Sequence, residues 1–215
     1  VFIYLRIKKK MNLIVCYTVN LVGLALLLFN VINYLIHRPK NIQIAVVTFY
    51  LSASFLESSI CFTLFHFWHI NNFFLSHIFF AIQLVFLSYF YFSMAQNSLH
   101  KRSIKYTAIV VFLGVAGQYL LNPNKFLEFN LVEILVISTL LICFALMHIY
   151  NNLGQKKQFF YFSIGLLLYF ICSSIIYMFG NVEIVFLQDP YVDLWVIKDV
   201  FFIFYQILVW KELRF

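Results

Sequence analysis

Glu57, Glu133, Lys198 and Asp199 are the residues whose chemistry demands an explanation, because each falls inside or just within a long apolar run. A charge at the centre of a hydrocarbon layer costs from about 2.5 kcal/mol upward, so it needs a partner, water or a task. The apolar stretch 42–56 rises only about 22 Å at about 1.5 Å per residue, short of the roughly 30 Å of a bilayer core, which keeps Glu57 inside that core. Lys198 and Asp199 pass the same test. Were both outside, residues 200–210 would supply about 16 Å of helix, too little to cross. His77 and Glu133 fall about one turn inside their own runs, and Gln83 lies deeper. Two arrangements fit this pattern. One is an outward-facing polar pocket in which Lys198 is the positive centre among Glu57, Asp199 and Glu133. The other is an ion-pair network that only holds helices together, since lipid offers these charges no other home. Neighbouring Lys198 and Asp199 point about 100° apart on a helix, so each is expected to find its partner on another helix.

A second constellation is the sequence His66-Phe67-Trp68-His69, followed by His77. His66 and His69, three residues apart, share a helical face, and His77 from the next run could complete a zinc, copper or haem site. Histidine and tryptophan are also ordinary at a membrane boundary, where an apolar ring carries a polar tip. Ser52, Ser54, Ser58 and Ser59 surround Glu57, and Gly114 and Gly117 lie on one run. Small side chains of both kinds let helix backbones approach closely, and the hydroxyls can donate to a buried carboxylate.

No Gly-x-Ser-x-Gly elbow, Gly-rich phosphate loop or His-Glu-x-x-His is present, and the chain holds only 6 glycines. Enzymatic activity and a bound cofactor are therefore not expected. Lys198 lies too near the end of its run to carry a mid-membrane chromophore such as retinal. Cys16, Cys61, Cys143 and Cys172 all fall within apolar runs without paired spacing, which suits small apolar side chains better than disulfides or zinc.

The elements that must position these groups follow from composition. Of 215 residues, 64% are hydrophobic and 11% charged, with a mean hydropathy of +0.92. A water-soluble fold of this length cannot hide so much apolar surface, so the solvent must be lipid. Taking about 20 apolar residues per crossing, the spans are 13–36, 42–67, 73–94, 106–121, 131–150, 159–179 and 193–213. The expected fold is an all-α, seven-transmembrane-helix bundle. Pro39, Pro123 and Pro190 all sit between spans, so continuous helices are expected.

The net charge of +7 does not point to nucleic acid, because Lys and Arg are scattered over short connections. Their distribution is a topology signal. One side collects Arg38, Lys40, Lys101, Arg102, Lys105, Lys156, Lys157, Lys211 and Arg214; the other holds His69, Lys125, Glu128, Glu183 and Asp189. The positive-inside rule puts the first side, with the C-terminus, in the cytoplasm and the N-terminus outside. Arg6, Lys8, Lys9 and Lys10 oppose that orientation, so residues 1–10 are read as an upstream extension before Met11, with 11–215 a single transmembrane domain. Neither a cleavable signal peptide nor a soluble output domain is expected. Abundant Phe, Tyr, Ile, Asn and Lys suit an AT-rich bacterial genome and a location in the inner, cytoplasmic membrane.

The closing segment 194–211, Leu-Trp-Val-Ile-Lys-Asp-Val-Phe-Phe-Ile-Phe-Tyr-Gln-Ile-Leu-Val-Trp-Lys, resembles the final helix of small bacterial seven-helix proteins that are similar to the membrane-sensor modules of histidine kinases. The resemblance implies a sensor or accessory signalling subunit, working through contacts with a separate membrane partner such as a histidine kinase. A small-solute transporter would also use a polar pocket, although such sites are often built on broken helices. A structural or assembly subunit would need the buried charges only for cohesion.

Overall fold

In a computed structural model, residues 2–36, 41–64, 68, 73–153, 158–186 and 194–214 are described, and among them there is no strand. The helices are α1 (Phe2–Ile36), α2 (Ile42–Thr63), α3 (Phe73–Met94), α4 (Ser98–Leu121), α5 (Leu131–Asn151), α6 (Phe160–Phe186) and α7 (Leu194–Glu212), with a short 3-10 helix at Pro123–Leu127. Six of the seven, α1 to α6, are long and apolar enough to cross a membrane. The protein is thus an all-helical, multi-span, membrane-type bundle. The exception is α7, whose sequence carries Lys198, Asp199, Lys211 and Glu212 within 19 residues.

Helix ends depart from hydropathy where charge ends the apolar run but nothing ends the helix. α4 begins at Ser98, not near 106, because Asn97 caps it: its side chain accepts a hydrogen bond from the Leu99 amide at 2.9 Å. Lys101, Arg102 and Lys105 therefore stand on a helical turn and not in a loop. Long basic side chains are good helix formers, and Lys101 lays its ammonium over the Phe92 ring. α6 likewise runs on to Phe186, which makes residues 180–186 helical where a loop is expected from 180. Extending an existing helix adds a hydrogen bond per residue without a new nucleus, so hydropathy and helix length need not agree. Pro123 opens the 3-10 helix, where its missing amide costs nothing.

Each helix packs on its chain neighbours, but the order of the bundle is not simply sequential. α1 packs on α7 as well as α2, and α3 packs on α5. This closes a ring α1-α2-α3-α5-α6-α7 and leaves α4 outside, leaning on α3 and α5. The centre of the ring is filled by aromatic side chains. Phe90 of α3 meets Phe162 of α6 edge-on at 5.1 Å, and Phe162 meets Tyr205 of α7 at 6.2 Å. All three are buried, with Tyr50, Tyr34 and Tyr91 beside them.

Two glycines make the ring possible. A Cβ on Gly165 would lie 2.9 Å from Tyr205 Cδ2, and one on Gly23 would lie 3.1 Å from Phe202 Cδ1, so α7 approaches both neighbours over a bare backbone. Gly114 and Gly117, expected to form such a face, do not: a Cβ at either would meet nothing within 4 Å. They lie on α4, where only Ile104 is buried and Leu120 and Leu121 are 83% and 82% exposed. Spacing identifies small residues, but not which helix ends up outside the ring.

The end of the bundle where α4, α6 and the C-terminus of α7 lie is tied by Glu212. Its Oε2 accepts from the amides of Tyr161 and Phe162 at 2.8 and 3.2 Å, a carboxylate placed at the N-terminus of α6.

Candidate functional site

The expected ionisable site residues lie toward the opposite end of the bundle, in two separate clusters. The first joins α3, α4 and α5. His77 Nδ1 lies 2.6 Å from Glu133 Oε2, and His77 Nε2 lies 2.9 Å from the carbonyl oxygen of Glu128, which follows the 3-10 helix. The Tyr119 hydroxyl donates to Glu133 Oε2 in a short contact and lies 2.9 Å from His77 Nδ1. Asn130 caps α5, its Oδ1 accepting from the Glu133 amide at 3.4 Å, and its Nδ2 donates to Gln118 Oε1 and to the Tyr119 hydroxyl, both at 3.2 Å. Phe126 of the 3-10 helix covers the His77 ring with centroids 5.6 Å apart. His77 and Glu133 are 4% and 1% exposed, and Glu133 Oε1 has no hydrogen-bond partner among the described residues.

The second cluster joins α1, α2, α6 and α7. Glu57 on the last turns of α2 accepts from Cys61 Sγ at 3.2 Å and from Ser58 Oγ at 3.3 Å. Lys198, on the first turns of α7, lies within electrostatic range of Glu57 and Cys61, and its ammonium stands 5.8 Å from the centre of the Tyr177 ring on α6. Asp199 approaches Lys198 at 3.8 Å, and Asn20 of α1 donates to its Oδ2 at 3.5 Å. The side chains of Lys198 and Asp199 remain 22% and 20% exposed, so this cluster is partly open.

The expected site residues are therefore not one group. Lys198, Glu57 and Asp199 come together, but Glu133 takes His77 of α3 as its partner, and Lys198 is not among the groups acting on it. Gln83 belongs to neither cluster: its Nε2 donates to the Tyr50 hydroxyl at 3.0 Å in the buried core. Lys198 and Asp199 also touch each other, contrary to the expectation from their 100° separation. That separation fixes the directions of the Cβ atoms, whereas the four-carbon stem of lysine can fold its ammonium back to a neighbour. Asp199 nevertheless gains an interhelical partner in Asn20.

His66 and His69 lie outside the described residues. His77, the third member of that expected metal set, directs both ring nitrogens at oxygens of this chain. No group of three His, Cys, Asp or Glu suited to a metal occurs among the described residues. Of the serines near Glu57, Ser58 donates to it, whereas Ser54 returns its hydroxyl to the Tyr50 carbonyl at 2.9 Å.

Sequence reasoning missed Tyr119, Asn130 and Gln118. Asn130-x-x-Glu133 carries a helix-start signal, an Asn cap three residues before an acidic side chain, that could have placed both at the mouth of α5. Nothing in the spacing singles out Tyr119 among 14 tyrosines. The chain matches no family model, and neither a curated protein nor a solved structure shows detectable similarity to it.

Proposed function

We propose that this chain is a seven-span protein of the bacterial cytoplasmic membrane, with its N-terminus outside, that acts as a sensor or accessory signalling subunit. The small polar ligand it responds to would enter from outside, at the cluster of Glu57, Lys198 and Asp199. A membrane-bound partner such as a histidine kinase would read the response through helix contacts.

One observation carries this reading: α2 and α7 bring a lysine and two carboxylates into electrostatic range of one another while leaving Lys198 and Asp199 partly exposed. Charges retained only for cohesion would favour full burial with saturated hydrogen bonds. Asn20 of α1 and Tyr177 of α6 contact these charges of α2 and α7, so a ligand held among them would couple four helices. The resemblance of the closing helix to sensor modules points the same way.

The purified chain, melted in detergent against a panel of amines, amino acids and small carboxylates, tests the pocket. The expected result is a raised melting temperature with one chemical class, abolished by Lys198→Met and by Glu57→Gln. Co-purification from native membranes should then recover a signalling partner. If no solute shifts the melt and the double variant Lys198→Met, Glu57→Gln keeps full cellular function, the cluster is structural and the proposal fails. Ligand-dependent uptake into proteoliposomes would instead make the chain a transporter.

A further inference from the structure

The first cluster has a property that the sensor reading does not use and that does not depend on it. A backbone carbonyl can only accept, so the contact between His77 Nε2 and the Glu128 oxygen requires a hydrogen on Nε2. The other ring nitrogen then has two possible states. Either Nδ1 also carries hydrogen, making an imidazolium that donates to an ionised Glu133, or Nδ1 is bare and accepts from a protonated Glu133 Oε2. In both states one proton lies between Nδ1 and Oε2, and the pair is electrically neutral. Without it, a bare nitrogen would face an ionised oxygen at 2.6 Å, lone pair against lone pair. The other neutral tautomer moves that conflict to Nε2 and the Glu128 carbonyl.

Among the described residues, nothing else replaces the missing proton. Tyr119 has a single hydrogen for Oε2 and for Nδ1, which lies 2.9 Å from its hydroxyl, and it accepts from Asn130 Nδ2, so it cannot supply both atoms. The electrostatic and hydrogen-bond partners of Glu133 are His77 of α3 and Tyr119 of α4. On the 3-10 helix and its cap, Lys125 and Glu128 are exposed. Glu57 and Cys61 of α2 engage each other and Lys198, and the Tyr177 ring of α6 meets the Phe129 ring.

We propose that His77 and Glu133 form a binding site for a single proton, and that this proton closes a clasp between α3 and the connection from α4 to α5. The balance is simple: the neutral pair releases one proton to water at the rim formed by Tyr119 and Glu128, and keeps a charge of −1. A net charge on a carboxylate that is 1% exposed, with Oε1 already unpartnered, cannot be held in the closed geometry. The neutral ring then keeps its one hydrogen on Nδ1 for the Glu133 carboxylate, the stronger acceptor, and releases the Glu128 carbonyl. Release of the carbonyl unpins the 3-10 helix from α3.

The test uses the full chain in bilayers, with ¹⁵N-histidine and ¹³C-glutamate labels, observed by solid-state NMR from about pH 5 to about pH 10. The His77 ring is identified without substitution as the one in through-space contact with a glutamate carboxyl carbon. A nitroxide on a cysteine at Leu127, an exposed residue of the 3-10 helix, reports the clasp. At low pH the ring should show hydrogen at Nε2 and a shared hydrogen at Nδ1, with the nitroxide restrained. Raising the pH should remove one proton per chain together with the hydrogen on Nε2, with the nitroxide becoming mobile over the same interval. Glu133→Gln, whose amide can donate to a bare Nδ1 without any proton, should stay restrained throughout. A ring that never changes state, a proton lost with no change at Leu127, or a Glu133→Gln protein that titrates as the parent does would each overturn the proposal. The first two observations need no variant at Glu133 to fold.

Discussion

The His77 and Lys198 clusters occupy the same end of one bundle and contain similar residue types, yet they are built in opposite ways. His77 and Glu133 are 4% and 1% exposed, with a tyrosine, two amide side chains and a backbone carbonyl completing their contacts. Lys198 and Asp199 are 22% and 20% exposed and hold their contacts at 3.5 to 3.8 Å. Ionisable groups at one depth therefore need not share a purpose. The buried set fastens α3 to α5 and brings in α4, the helix outside the ring, whereas the open set joins α7 to α1, α2 and α6 and keeps Lys198 and Asp199 partly exposed.

The strongest test is all-or-none, because it asks which side of the membrane the end carrying both clusters faces. A cysteine at Leu127, beside the His77 cluster, should react with a membrane-impermeant reagent in intact cells, and one at Leu99, near the basic start of α4, only after permeabilisation. The reverse pattern would turn the bundle over and place both clusters in the cytoplasm.

The next largest effect separates the clusters by energy. His77→Ala leaves the Glu133 carboxylate and the Glu128 carbonyl without their partner, and breaking a buried pair in this way costs about 3 kcal/mol or more. Lys198→Met removes a partly exposed ammonium, for which about 1 kcal/mol is expected. Reversible unfolding in mixed micelles measures both. Equal losses would mean that the fold depends on Lys198 as much as on His77, which would remove the case for a ligand there.

Much of this architecture is legible in the residues, and the parts that are not share one physical cause. Apolar length alone predicts α3 and α5 to within a residue at each end, because nothing else competes with lipid in setting those limits. Depth likewise selects Glu57, Glu133, Lys198 and His77 as groups needing partners. What one chain cannot display is which helices are neighbours. Lys198 and Glu133 look equivalent by depth, but α7 closes the ring against α1 and α6 while α5 is paired with α3. The same gap explains Gly114 and Gly117, whose small size is wasted on the outer helix, and Tyr119, whose role exists only because α4 leans on α3 and α5.

A smaller effect tests the composition of the open cluster. If Glu57 is an electrostatic partner of Lys198, the losses from Lys198→Met and Glu57→Gln should not add, and the double variant should recover about 0.5 kcal/mol or more relative to their sum. Simple additivity would leave Asp199 and Asn20 as the relevant partners and shift the site toward α1.

The smallest expected effect is the most informative about the ring. Lys198→Met combined with Glu133→Gln should give the sum of the single losses within about 0.5 kcal/mol, since none of the groups acting on Glu133 acts on Lys198 among the described residues. Glu133 is neutralised through His77 and Tyr119, and Lys198 through Asp199, Glu57 and the face of Tyr177, so removing either charge leaves the surroundings of the other intact. A coupling well above that limit, in either direction, requires a path between the clusters. The route available runs from Lys198 to Tyr177 of α6, on to Phe129 at 6.0 Å, and so to Asn130 and the start of α5. Such coupling should then vanish in Tyr177→Leu, which removes the ring that both contacts share; if it persists there, the two clusters form one continuous site and the division drawn between them is wrong.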